Sequence, residues 1–335
     1  MAFWNHYHLP TTVDEAIALL ARYEGQARVV AGGTDLILEL QQGHRPPVEA
    51  LVDVTRIAEM TRIEETGEHI DIGAAVTHTA IVASARLAQK ATCLVESCGV
   101  IGGPQVRNVA TLGGNVAHAL PAGDGTLSLV ALDAEAEIAK CNMQTIAPEA
   151  RLAAPRPSTG RSDRGKRSGD AECRTERRWV PVVSLFKGPG ESAIDQTREI
   201  IVRFRFRLTA PGEATAYKRI MRPQGVALPI LAMAVWIQVS DTVVDDVRIV
   251  LGPAGLTPIR ATTAETYLAG IPLVKDVLPQ MADLVLADAK LRTSQHRATA
   301  GYRRELIEVL VRRALPLAYQ RAQTGEAVPE GVGLG

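Results

Sequence analysis

Two glycine-centred segments contain the residue types best suited to binding a large anionic ligand. They are residues 31–36, with the sequence Ala-Gly-Gly-Thr-Asp-Leu, and residues 111–115, with the sequence Thr-Leu-Gly-Gly-Asn. Two successive residues without a Cβ let the backbone adopt positive φ and bring its N–H groups against a ligand such as a diphosphate. Each segment alone would be an ordinary loop in most proteins. As a pair they favour a dinucleotide cofactor as the ligand.

The predicted elements around the first segment place its N–H groups at the end of a strand. Residues 27–30 have the composition of a short strand, and residues 35–42 that of a helix stopped by Gly43. A strand, a glycine turn and a helix start form the arrangement that points free N–H groups at an anion. The second segment lies between a predicted helix over 79–100 and a predicted strand over 134–139, inside a mixed α+β region.

Length and charge limit the class of protein. The 335 residues exceed the usual size of one hydrophobic core, so two or three packed units are expected. Lys and Arg together number 37, as do Asp and Glu, and this zero net charge argues against a nucleic-acid-binding protein. No signal peptide is evident, and the most apolar segment, 226–239, is shorter than the roughly 20 residues that a bilayer requires. We expect no membrane span and a cytoplasmic location.

Cysteine and histidine residues form no metal-ligand pattern. The four cysteines include no C-x-x-C pair, so the usual spacing of an iron–sulfur or zinc site is absent, and no disulfide framework is predicted. The seven histidines show no ligand spacing beyond His6-x-His8, which we interpret as incidental, and neither H-E-x-x-H nor G-x-S-x-G occurs. We predict no metal site and no catalytic residue, which turns attention to a bound redox cofactor.

Two other phosphate-binding patterns fail on their context. Residues 160–166 spell most of a P-loop, but Arg167 stands where Ser or Thr must reach Mg²⁺, and no strand precedes the segment. Residues 188–193 match a relaxed G-x-G-x-x-A pattern, yet no acidic ribose ligand follows roughly 20 residues later. We interpret this second segment as a turn made rigid by its proline.

The composition changes twice along the chain. From about residue 142 to 178 proline, arginine, serine and glycine dominate, which predicts a disordered, solvent-facing insertion. A Thr-Ala-Pro-Gly-Glu stretch at 209–213 marks a second boundary, after which we expect a smaller α+β domain ending in amphipathic helices. The arginines of the segment 300–323, Arg303 among them, are predicted to lie on a solvated or subunit-facing helix surface.

The glycine segments and their neighbours resemble a known family. The segments that carry the resemblance are 29–36, 73–78, 105–115, 121–124, 217–222 and 251–261. Together they resemble the FAD-binding medium subunit of molybdenum hydroxylases, the family of xanthine dehydrogenase and carbon monoxide dehydrogenase. The resemblance covers nearly the whole chain except the insertion.

The resemblance implies an α+β fold with a vanillyl-alcohol-oxidase-like, PCMH-type FAD-binding domain over residues 1–210. This domain would consist of two subdomains, about 1–55 and 56–210, and a C-terminal domain of the carbon monoxide dehydrogenase flavoprotein type would follow over 214–323. FAD would lie in the cleft between the domains. Unlike the 4-hydroxybenzoyl-CoA reductase branch, this chain has no cysteine-rich loop after the second glycine segment, so we expect no iron–sulfur centre in it.

The resemblance also implies roles for individual residues. The N–H groups of the two glycine segments would hold the diphosphate, Asp124 would lie near the ribityl and ribose hydroxyls, Lys218 would be the cation near the isoalloxazine, and Ile201 an apolar contact to that ring. Two other interpretations stay open: Asp124 as a turn-capping aspartate, and Lys218 as a surface lysine. The implied cofactor-binding residues are Val30, Ala31, Gly32, Gly33, Thr34, Asp35, Thr111, Leu112, Gly113, Gly114, Asn115, Asp124, Ile201 and Lys218.

As the resemblance implies, the chain is an FAD-binding electron-transfer subunit that requires partner chains. A small subunit with two two-iron two-sulfur clusters would deliver electrons from a large molybdopterin-cofactor subunit, and an acceptor such as NAD or a quinone would take them up. One alternative is a self-contained FAD oxidase or dehydrogenase of the same superfold that acts on a small alcohol or amine. Another is a nucleotide-binding assembly subunit without redox turnover.

Overall fold

The computed structural model describes residues 2–145, 171–222, 228–294 and 297–331. The strands are β1 Trp4–His8, β2 Ala27–Val30, β3 Val48–Asp53, β4 Ile63–Thr66, β5 His69–Gly73, β6 Glu135–Thr145, β7 Ala171–Pro181, β8 Phe186–Gly188, β9 Glu191–Ser192, β10 Glu199–Arg207, β11 Glu213–Met221, β12 Pro229–Ser240, β13 Val243–Gly252 and β14 Ile259–Arg260. The α-helices are α1 Val13–Arg22, α2 Leu36–Gln41, α3 His78–Val82, α4 Ala85–Lys90, α5 Thr92–Gly99, α6 Pro104–Arg107, α7 Leu112–Ala117, α8 Asp124–Ala131, α9 Thr262–Leu268, α10 Leu278–Asp288 and α11 Ala300–Thr324.

The N-terminal residues form a small parallel sheet with the strand order β1-β3-β2. Helix α1 begins at a cap in which the Thr12 side chain accepts the N–H of Glu15, and it buries one apolar face. The first glycine segment follows β2 directly and leads into α2. The strand predicted over 27–30 is confirmed, and the helix predicted over 35–42 is observed as 36–41.

A second sheet is antiparallel throughout, with the strand order β4-β5-β10-β6-β7. Three helices, α3, α4 and α5, lie where one helix over 79–100 was predicted, so that prediction is wrong about continuity. The chain restarts a helix at Ser84, whose hydroxyl accepts the N–H of Leu87, and it turns again at Ala91. The free Cys93 and Cys98 are buried in α5, as small apolar residues would be.

The predicted insertion over 142–178 is wrong at both of its ends. Residues 142–145 of β6 pair with residues 171–174 of β7, and residues 175–178 of β7 pair with residues 138–141 of β6. The segments are polar and carry ion pairs such as Lys140 to Glu176, at 3.3 Å, and Arg178 to Glu199, at 2.8 Å. An average over the composition of this stretch therefore hides the alternation of the strands. Residues 146–170, with the rejected P-loop pattern, lie outside the described residues.

This region contains a disulfide bond and a short hairpin. Cys141 and Cys173 lie on the paired strands β6 and β7 and form a disulfide, with their Cα atoms 5.4 Å apart. One such bond is not a framework, and no motif or spacing in the sequence predicts it. Residues 188–192 make the turn of the β8–β9 hairpin, where Gly190 has φ +78°, in agreement with the predicted turn.

The C-terminal residues form a third sheet, β11-β12-β13-β14, which is antiparallel. Its two faces pack differently: Tyr217 and Trp236 belong to the core of the preceding domain, whereas Met233 and Val235 pack with α9, α10 and α11. The prediction that Arg303 lies on a helix surface is wrong, because it is 2% exposed and its Nη1 donates to the Pro253 carbonyl. No helix in the described ranges is long and apolar enough to cross a membrane.

Candidate functional site

A cavity of about 400 Å³ opens where the three sheets approach one another. Most of the predicted site residues line it, namely Val30, Ala31, Gly32, Gly33, Thr34, Asp35, Thr111, Gly113, Gly114, Asn115, Asp124 and Ile201. Leu112 and Lys218 are not among the residues that line it. The structure therefore brings together the two glycine segments, which are separated by about 80 residues in sequence.

The first glycine segment touches residues 109–110, which directly precede the second segment, through backbone atoms. A Cβ built on Gly32 would lie 2.0 Å from the Val109 carbonyl oxygen and 2.9 Å from the Ala110 Cα. Gly33 has φ +68°, a conformation that residues with a side chain rarely adopt. A Cβ on Gly113 would lie 2.6 Å from the Ala74 carbonyl oxygen. Glycine is required here because the chain approaches itself closely, which the sequence had indicated only for a ligand.

The segments differ in the availability of their N–H groups. None of the N–H groups of residues 31–35 donates to a protein acceptor in the part of the chain that the structure describes. In the second segment, Leu112 and Gly113 donate to the carbonyls of Val76 and Ala74, at 3.1 and 2.8 Å. Gly114 and Asn115 donate to the hydroxyl and carbonyl oxygens of Thr111. The first segment thus offers a row of free donors to an anion, whereas the second mainly shapes the wall.

Leu112 packs away from the cavity as part of the hydrophobic core, with no exposed surface. Ile201 lies on β10 beside a bulge in the pairing with β6. Both Ile200 and Ile201 line the cavity. These two isoleucines form an apolar part of the wall.

Asp124 is the first residue of α8 and is 3% exposed. One of its carboxylate oxygens accepts the hydroxyl of Tyr217, and the other accepts Nη1 of Arg219 at 3.1 Å. Burial raises the pKa of Asp124 to about 6, and Arg219 and Tyr217 act in the opposite direction. The helix cap is Gly123, and no side-chain cap bond is present, so Asp124 orients Arg219 rather than capping a turn.

Arg219 lines the cavity, whereas Lys218 does not. Side chains alternate along a strand, and on β11 Tyr217 and Arg219 share the face toward the cavity, so Lys218 points to the other face. There its ammonium group contacts Glu330, and this hydrogen bond is the main cause that lowers the pKa of Glu330. The sequence analysis missed Arg219; the only available signal was its spacing of two residues from Tyr217.

His78 is a second cavity residue for which the sequence analysis assigned no role. It is 1% exposed, its backbone N–H donates to the Ala110 carbonyl at 3.1 Å, and burial is the main cause that lowers its pKa to about 4. The proximity of Arg107 contributes in the same direction. His78 is therefore neutral at pH 7.

Known proteins that resemble this chain match it over most of its length. The family model described as the FAD-binding domain in molybdopterin dehydrogenase matches residues 2–162, and the model of the CO dehydrogenase flavoprotein C-terminal domain matches residues 215–318. The carbon monoxide dehydrogenase medium chain of Hydrogenophaga pseudoflava is 27% identical over 94% of this chain and 97% of that protein. The xanthine dehydrogenase FAD-binding subunit of Escherichia coli O157:H7 is 28% identical over 94% of this chain and 96% of its own length.

A solved structure of carbon monoxide dehydrogenase from Hydrogenophaga pseudoflava matches with a TM-score of 0.79, over 95% of this chain and 98% of the other. The free N–H groups of residues 31–35 have the chemistry to bind an anionic group such as a diphosphate. This chain belongs to the family of FAD-binding medium subunits of molybdenum hydroxylases and is the FAD-dependent oxidoreductase component of such a complex.

Proposed function

We propose that this chain accepts electrons from the iron–sulfur clusters of a partner subunit and passes them to an external acceptor. The row of unpartnered N–H groups at residues 31–35, which faces a cavity also lined by Arg219, is the observation that carries the proposal. FAD, when bound, supplies the ability to take up electrons one at a time and to release them singly or in pairs. Metal chemistry would belong to partner chains, since no group of three metal-binding side chains occurs among the described residues.

The protein's own residues would bind and orient the cofactor. Backbone donors at residues 31–35 would hold the diphosphate without an excess of lysine, which suits a chain of zero net charge. Asp124 and Tyr217 would fix the guanidinium of Arg219 as the cation beside the cofactor, a role that the sequence analysis had assigned to Lys218. Ile200 and Ile201 would exclude water from the part of the cavity that they line.

The remaining parts of the complex follow from the family. We propose a small partner with two two-iron two-sulfur clusters, a large partner with the molybdopterin cofactor, and NAD or a quinone as the acceptor, in the cytoplasm. Residues 1–210 and 214–323 would be the two domains, with 1–55 and 56–210 as the two parts of the first. Organic substrate would react in the large partner, as the resemblance to the family implies.

Flavin absorbance of the purified chain tests this function. We expect the isolated chain to retain FAD, and its absorbance near the flavin maximum to bleach only when the partner subunits and an organic substrate are added anaerobically. Bleaching by substrate with the isolated chain would support a self-contained oxidase instead. Purification without flavin, together with normal assembly of the complex, would support the assembly subunit.

A further inference from the structure

The imidazole of His78 lies at the cavity and makes no hydrogen bond to the described residues of the protein. It is the first residue of α3, after the Thr77 cap, and Thr77 forms an isolated β-bridge with Thr111. Its own N–H donates to Ala110, the residue against which Gly32 packs. The imidazole is thereby fixed beside both glycine segments, and it lines the cavity.

The two ring nitrogens of His78 differ in their access to partners. Nδ1 is buried without a hydrogen-bond partner among the described residues. Nε2 is therefore the nitrogen left to meet a ligand in the cavity. An orphaned buried N–H is rarer in proteins than an under-satisfied acceptor, so the proton belongs on Nε2 and the lone pair on Nδ1. A neutral imidazole in this tautomer presents one donor.

The surroundings of His78 favour an anionic acceptor for that donor. Arg107 is the charged group that acts on the imidazole, and its Nη1 donates to the carbonyls of Ile101 and Gly102. The neighbouring loop 31–35 presents free N–H groups to the same cavity. Donors that converge in this way match the oxygens of a diphosphate.

We propose that His78 binds FAD, donating Nε2–H from a neutral imidazole to an oxygen of the cofactor's diphosphate. The proposal rests on the proposed function, since it requires FAD in this cavity. His78 would add a hydrogen bond that the second glycine segment cannot supply, because four N–H groups of that segment are engaged within the protein.

Three substitutions separate the two ring nitrogens. Gln places an amide N–H near the position of Nε2, Asn places one near the position of Nδ1, and Leu has no donor. In FAD titrations of the flavin-free full chain, we expect H78L and H78N to weaken binding by about 10- to 100-fold, the value of one hydrogen bond to a charged group. We expect H78Q to stay within about threefold of the wild type. His69→Leu, at an exposed position on β5, is the control and should bind FAD normally.

A second measurement does not depend on how the variants fold. Nitrogen-15 NMR of the histidine rings in the wild-type chain should show the Nε2–H tautomer of His78 without FAD, and a change of the Nε2 shift when FAD is added. An Nδ1–H tautomer, an Nε2 shift unchanged by FAD, or rescue by Asn instead of Gln would overturn the proposal while FAD binding stands. A wild-type chain that binds no FAD would overturn the proposed function as well.

Discussion

Replacing Gly32 by alanine should push the first glycine segment away from residues 109–110, which directly precede the second segment. The new Cβ would lie 2.0 Å from the Val109 carbonyl oxygen and 2.5 Å from its carbonyl carbon. Both are backbone atoms, so no side chain can move aside, and real Cβ contacts essentially never fall below 3.0 Å. The loop at residues 31–35 must therefore shift by at least about 1 Å away from residues 109–110.

That shift is large compared with the tolerance of a hydrogen bond. The donor–acceptor distances of hydrogen bonds span only about 0.5 Å. A displacement of about 1 Å would therefore move an N–H group of the loop out of hydrogen-bond range of the FAD diphosphate that we propose it binds. A hydrogen bond to a charged group contributes about 1.5 to 3 kcal/mol, and the loss of two such bonds costs about 3 kcal/mol or more. We expect Gly32→Ala to weaken FAD binding at least about 100-fold. Overpacking should also lower the free energy of unfolding of the flavin-free chain by about 1 to 3 kcal/mol.

FAD titration and urea unfolding of the flavin-free chain measure the two effects separately. Gly301→Ala is a matched control, because its Cβ would lie in α11 with the nearest atom, Thr299 Oγ1, 4.0 Å away. Alanine is the better helix former, so this control should be neutral or slightly stabilising. Unchanged FAD affinity and stability in Gly32→Ala would refute the close backbone contact of Gly32 with residues 109–110.

Three further changes test other parts of the structure. Arg219→Gln should weaken FAD binding about 10- to 100-fold in the same titration, whereas Lys218→Gln should leave it unchanged; the reverse result would restore the role predicted for Lys218. The pKa of His78 lies below that of an unfolded histidine, so its contribution to stability is complete above about pH 6.5 and is lost as the pH falls toward 4. Because Asp124 also titrates in this range, urea unfolding is compared between the wild type and His78→Gln, and the wild type should lose up to about 3 kcal/mol more than the variant between pH 6.5 and 4. Glu96 forms a buried ion pair with Arg321, at 2.7 Å. Glu96→Gln should lower the free energy of unfolding by about 3 to 5 kcal/mol, whereas the exposed Glu308→Gln should change it by no more than about 0.5 kcal/mol; equal effects would contradict a stabilising role of this ion pair.

The sequence predicted the cavity wall well where only glycine could satisfy the backbone. Gly32 and Gly113 were recognised because no other residue permits such close approach, although the sequence could not tell that the approaching group is the protein's own chain. For the same reason the sequence does not reveal that the N–H groups of residues 112–115 donate to acceptors within the protein. Hydrogen-bond partners such as Val76 and Ala74 are fixed by tertiary contacts.

The choice between Lys218 and Arg219 shows where sequence reasoning stops. Both faces of β11 are covered, one by the preceding domain and the other by helices, so an alternating pattern does not reveal which face meets the cavity. The face of β11 that meets the cavity becomes clear only from the register, which pairs Arg219 with Ala232 and Lys218 with Met233. The strand predicted over 134–139 ends too early, and the polar parts of β6 and β7 inside the predicted insertion were missed, since cross-strand ion pairs are invisible in composition.

The hydrogen bonds of Glu96 have a consequence for the order of assembly. This carboxylate, 1% exposed, accepts the N–H of Tyr217 at 2.7 Å and the guanidinium of Arg321 at 2.7 Å. Arg321 follows Glu96 by 225 residues, so this ion pair cannot form during synthesis until most of the chain has been made. Until then the carboxylate that accepts the N–H of Tyr217, at the centre of β11, has no cationic partner. We therefore expect a nascent chain that lacks α11 to leave the flavin cavity incomplete, and cofactor loading to follow translation of this helix.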